Sequence, residues 1–151
     1  NLAIKKHENQ LDRYGNKYVL HPLRVMSKFW DDLDCAIVAV GHDLFEDTNC
    51  TEKELESAGC SQEHILAIKL LTRKEKQEYA EYIDKIVNSY YGITFANLWA
   101  AKVKIEDMKD NMSFERSCGE PIIPDNKIGK FPIYRESFNK LQELIRKLNQ
   151  F

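Results

Sequence analysis

Apolar residues along this chain recur at steps of three and four, the period of helices with one buried face. The clearest run is Leu33, Ala36, Ile37, Val40 and Leu44. Read as one continuous central helix, it gives a core-facing stripe. Before it, Leu23, Met26 and Trp30, with Val25 and Phe29, mark a helix that opens at His21-Pro22, since proline suits a first turn. Further on, Thr51-x-x-Glu54 is a capping box for a short helix ended by Gly59. Ser61 caps the next, with Ile65, Ile68 and Leu71 inward.

Tyr79, Tyr82, Ile83 and Ile86 predict another helix, broken at Tyr90-Tyr91-Gly92. Thr94 starts a long one with Phe95, Leu98, Trp99 and Val103 on its dry side. The last is amphipathic through Tyr134, Phe138, Leu141, Ile145 and Leu148. The first ten residues read as a short helix with Leu2, Ala3 and Ile4 inward. Residues 11–17, with Gly15 and Asn16, read as a turn. Two prolines and two glycines between Ser113 and Lys130 predict a long loop or lid. No stretch alternates as a strand does. The expected class is all-α, one domain over residues 1–151, built as a bundle of about seven or eight helices.

Composition narrows the partners. At 151 residues the chain can bury a real core. A net charge of −2 with both signs interspersed lacks the basic footprint of a nucleic-acid binder. No apolar run reaches the length of a membrane span. The expected partner is a small molecule, with homo-oligomerisation left open. The expected setting is the cytoplasm, with no leader segment. There Cys35, Cys50, Cys60 and Cys118, none of them in a CxxC pair, stay reduced.

The chemistry concentrates in Gly41-His42-Asp43-Leu44-Phe45-Glu46-Asp47-Thr48. On a helix, His42 pairs with Glu46, and Asp43 with Asp47, four apart. Three carboxylates crowded beside an apolar stripe repel one another unless a cation compensates. A divalent metal is one such cation. Taken alone, the octapeptide also suits solvated acids followed by a turn. Partners elsewhere change that balance: His21 at a helix start, and Lys104, Asp107 and Asn111 on one stripe of the long helix. Two imidazoles with two carboxylates suit a borderline or hard divalent ion with open positions.

His21, His42-Asp43 and Asp107 together resemble the signature of the HD superfamily of metal-dependent phosphohydrolases. Lys6-His7-x-x-Gln10, Gly15-x-x-Tyr18-x-x-His21-Pro22-Leu23, His42-Asp43-x-x-Glu46-Asp47-Thr48 and Lys104-x-x-Asp107-x-x-x-Asn111 narrow the likeness. They look like the hydrolase domain of RelA/SpoT homologues, in its small stand-alone form. The resemblance runs from about residue 3 to residue 115.

It implies a helical bundle with one metal, usually Mn2+. The implied ligands are His21, His42, Asp43 and Asp107, with Glu46 and Asp47 activating water. Arg13, Lys104 and Asn111 would contact a phosphorylated nucleotide. The implied reaction removes the 3′-pyrophosphate of (p)ppGpp or a related nucleotide. Two alternatives stand beside it: an HD phosphatase for another nucleotide (NADPH-like or a nucleoside monophosphate), and a non-catalytic nucleotide-sensing module.

Two residues depart from the pattern. Asp12 stands where larger relatives carry a guanine-stacking Arg. Gly41 stands where Leu is usual, and predicts extra room behind the metal or a looser helix. Asp110 adds a carboxylate on a different face from Asp107. His7 reads as a packing or outer residue, and His64 as a surface one.

Overall fold

A computed structural model describes residues 1–88, 93–113 and 130–149, with side chains described from 134 in the last segment. Nine α-helices lie in it: α1 (Leu2–Lys6), α2 (Leu20–Met26), α3 (Leu33–Gly41), α4 (Leu44–Asp47), α5 (Glu52–Ser57), α6 (Gln62–Leu71), α7 (Tyr79–Val87), α8 (Phe95–Asn111) and α9 (Lys130–Leu148). A 3-10 turn at Ser27–Phe29 follows α2. The only pairing outside helices among the described residues is an isolated bridge between Leu11 and Lys17. The protein is all-α. The break expected at Tyr90-Tyr91-Gly92, the loop or lid expected between Ser113 and Lys130, and Cys118 lie outside the described residues. No helix among the described residues is long and apolar enough to cross a membrane.

The helix starts follow their capping residues. Thr51 accepts from the Glu54 N–H while the Glu54 carboxylate accepts from the Thr51 N–H, closing the predicted box. Gly59, at φ +95°, ends that segment in the left-handed region. Ser61 caps α6, and the reciprocal partner is His64: its Nδ1 accepts from the Ser61 N–H and its Nε2 donates to Asp34 at 2.9 Å. His64 is therefore a buried capping residue, not a surface one. Thr94 caps α8 with Asn97 as the reciprocal partner.

The expected single central helix is two. α3 stops at Gly41 and α4 begins at Leu44, with His42 and Asp43 at the joint. His42 Nδ1 donates to the Ala39 carbonyl at 2.7 Å. That carbonyl is the one the Asp43 N–H would take in a continuous helix, so the side chain competes with the ladder locally.

The buried face of α3 also differs from the predicted stripe. Cys35, Val38, Ala39 and His42 face the core, while Leu33 is 74% exposed. α3 packs against α2, α6 and α8, so several of its faces are covered and its period loses meaning. Trp30, expected inward, is 87% exposed, and Ile4 and Phe95 also face outward. On α8 the deep face is made of small residues, Ala96, Ala100 and Ala101 with Val103. Gly41 leaves no spare room: a Cβ there would stand 2.8 Å from Ile68 Cδ1. The glycine lets α6 close on α3.

Candidate metal centre

Four elements deliver the polar cluster. His21 sits in the first turn of α2, His42 and Asp43 at the α3–α4 joint, and Asp107 late in α8. One donor atom each from His21, His42 and Asp43 lies within 4.8 Å of the others. Asp107 faces both imidazoles: its Oδ1 is 3.1 Å from His21 Nε2 and 3.7 Å from His42 Nε2. Asp43 Oδ2 is 3.2 Å from His42 Nε2 and 3.6 Å from His21 Nε2. The ring centroids are 5.1 Å apart. All four predicted ligands thus meet at one place, across 86 positions of chain between His21 and Asp107.

The imidazoles are aimed from behind. A carbonyl only accepts, so the Nδ1 of His42 that meets Ala39 carries its proton. In the neutral form of the ring the lone pair is then at Nε2. That atom is buried and makes no hydrogen bond among the described residues. An orphaned ring nitrogen turned onto two carboxylates fits a metal ion. Burial opposes a charge on His42, yet Asp43 and Asp107 outweigh it and push its pKa up to about 9. The same negative surroundings favour a divalent cation, whose binding displaces the proton.

A cavity of about 190 Å3 opens on the cluster. Asp43, Glu46, Asp47 and Asp107 line it with two always-cationic partners, Lys104 and Arg73. Carboxylates outnumber those cations two to one. Tyr79 and Tyr82 form an aromatic wall, with Lys104 Nζ 4.9 Å from the Tyr82 ring centre.

The proposed acids are held individually. Glu46 accepts from the Arg73 N–H at 2.8 Å. Partial burial, helped by Asp43 and Asp47, raises the Glu46 pKa against that hydrogen bond. Asp47 is fixed from the chain's first twenty residues. The Tyr18 hydroxyl lies 2.7 Å from Asp47 Oδ2 and 2.7 Å from Asp43 Oδ2. Gln10 donates to the Asp47 carbonyl at 2.6 Å and accepts from His7 Nδ1 at 2.6 Å. His7 is fully buried against the Tyr18 ring and holds the Gln10 side chain in place.

Three predicted substrate contacts have other employment. Lys104 donates to Asp107 Oδ2 at 2.7 Å, and burial of the pair is offset by their attraction: the lysine stays protonated and the acid ionised. Asn111 donates to Asp107 Oδ1. Both still line the cavity, and their described side-chain bonds go to Asp107. Arg13 is exposed, stacks 4.9 Å over Tyr14, and does not line the cavity. Asp12 accepts from the N–H groups of Tyr14 and Asn16, at 2.9 and 3.0 Å. It shapes the turn in which Gly15 takes φ +82°.

Residue-by-residue reading missed Tyr18, Arg73 and Asp110 as parts of the centre. Tyr18 was visible only as a member of a motif. Asp110 lies on another face of α8 from Asp107, so helix spacing alone does not join it to the cluster. Yet His21 Nδ1 meets its Oδ2 at 2.7 Å, and burial notwithstanding, His21 and Arg24 hold its pKa down at about 2. The chain matches no protein-family model and no curated protein.

Proposed function

We propose that this protein is a metal-dependent phosphohydrolase of the HD type, acting on a phosphorylated nucleotide. The reading is most specific as removal of the 3′-pyrophosphate of (p)ppGpp or a related nucleotide. One observation carries it: the buried Nε2 of His42, which makes no hydrogen bond among the described residues, faces Asp43, Asp107 and His21 beside a cavity that holds two further acids. Its motifs resemble that family, and Mn2+ is the metal the resemblance implies.

His21, His42, Asp43 and Asp107 would hold the cation. When bound, such an ion lowers the pKa of water and polarises a phosphoryl oxygen. The chain's own residues do the rest. Glu46, whose pKa burial raises, lines the cavity where it could accept a proton from the attacking water. Asp47, fixed by Tyr18 and Gln10, is placed to orient that water. Arg73, whose Nε and Nη2 donate to the Gln77 carbonyl, brings a positive charge to the cavity wall that would attract a phosphate.

The test is a panel of nucleotides incubated with purified protein and Mn2+, with pyrophosphate and orthophosphate measured separately. Pyrophosphate release from (p)ppGpp is the expected result, and Glu46→Ala should nearly abolish it while the far-UV spectrum stays unchanged. Orthophosphate release from another nucleotide would move the substrate assignment. Tight nucleotide binding without any product would favour the sensing module.

A further inference from the structure

The two imidazoles are backed differently. His42 Nδ1 has a neutral partner, the Ala39 carbonyl. His21 Nδ1 has a charged one, Asp110 Oδ2, at 2.7 Å. Asp110 is 8% exposed and is itself gripped from the far side. Arg24 reaches Oδ1 through Nε at 2.7 Å and Oδ2 through Nη2 at 3.0 Å. This two-pronged bond fixes the plane of the carboxylate, and so the direction from which it meets the ring. A simple ion pair tying α2 to α8 would need only Arg24 and Asp110. It would not need His21 on the same oxygen.

We infer that Asp110, locked by Arg24, is a positioning residue that fixes His21 with Nε2 toward Asp43 and Asp107 and strengthens its grip on a divalent cation. A carboxylate behind an imidazole makes the opposite nitrogen a better donor, and losing such a partner typically costs roughly 10- to 100-fold in metal affinity. The inference rests on the metal-centre reading above and adds to it a source of affinity in residues that touch no metal.

The experiment is Mn2+ titration of the full chain, read by electron paramagnetic resonance as free ion. Asp110→Asn keeps the shape and removes the charge. It should weaken Mn2+ binding roughly tenfold or more. Arg24→Gln, at a side chain 31% exposed, should weaken it by less and covers the case in which Asp110→Asn does not fold. Nitrogen-15 spectra of the imidazoles in the Zn2+-loaded protein supply a second readout. Asp110→Asn should shift the Nδ1 resonance of His21 and leave that of His42 in place. Unchanged affinity in the folded variants, or shifts shared equally by both rings, would overturn the inference alone. A wild-type chain that binds no Mn2+ or Zn2+ would overturn the metal centre beneath it.

Discussion

His42 reaches back to Ala39, donating from Nδ1 to the carbonyl at 2.7 Å, and thereby aims Nε2 at the carboxylates of its neighbour Asp43 and of Asp107 on α8. The bond gives the ring a defined tautomer. A cation at Nε2 should therefore stabilise the fold. At a hundredfold excess over Kd, one bound ion adds about 2.7 kcal/mol. For a chain this size that is a rise of roughly 5–10 °C in Tm. Differential scanning calorimetry with Mn2+, then with chelator, checks it. His42→Ala should lose the metal-dependent rise. An identical rise in that variant would remove His42 from the site.

Tyr18 joins the two acidic halves of the centre. One hydroxyl lies 2.7 Å from both Asp43 and Asp47. Tyr18→Phe keeps the ring against His7 and His21 and deletes only the oxygen. Turnover should fall roughly 10- to 100-fold, the scale of losing an outer partner, with Tm nearly unchanged. Steady-state kinetics beside a melting curve separates this from unfolding. Full activity in Tyr18→Phe would mean that Asp47 needs no such tether.

Gly41 is a packing residue. A Cβ there would come within 2.8 Å of Ile68 Cδ1, in a side chain that is fully buried. Gly41→Ala gains about 1 kcal/mol in helix propensity and loses about 1–3 kcal/mol to overpacking. A net loss near 1 kcal/mol is expected by urea unfolding. Ile68→Val removes the offending methyl, leaving 3.6 Å to Cγ1. The double variant should then be more stable than the sum of the two single effects predicts. Strict additivity would show that the two sites do not press on each other.

Glu54 links the start of the chain to the loop after the acids. Lys6 is the largest cause holding its pKa down at about 2, with the Thr51 N–H next. A depressed carboxylate contributes stability above its unfolded value and loses it as pH falls through the folded one. The window here runs from pH 4.5 down to about 2. The group is exposed, so its own titration is a better readout than global stability. Carboxyl carbon-13 NMR should place Glu54 higher in Lys6→Ala, yet below 4.5 because Thr51 still donates. An unmoved value would show that Lys6 is not the cause.

The sequence by itself determined what is local. Helix starts at Thr51, Ser61 and Thr94 follow from side chains that cap their own backbone, and need no tertiary partner. The inward positions of α7, Tyr82, Ile83 and Ile86, follow from the 3.6-residue period. The four metal-ligand candidates were legible as residue types in motif spacing, since His42-Asp43 with outlying His21 and Asp107 is a specific combination.

Tertiary structure decided the rest. Which face of α3 is deepest depends on α2, α6 and α8 enclosing it, so Leu33 faces out and Cys35 in. The joint at His42 depends on an imidazole competing for the Ala39 carbonyl. Lys104 and Asn111, three and four residues from Asp107, are drawn to that acid because burial demands partners for its charge. Asp110 backs His21, and Tyr18 bridges Asp43 and Asp47, only because the fold brings together residues 89, 25 and 29 positions apart. Periodicity records which side of a helix is greasy. The partner a buried polar atom finds is set by what the rest of the chain places within three ångströms of it.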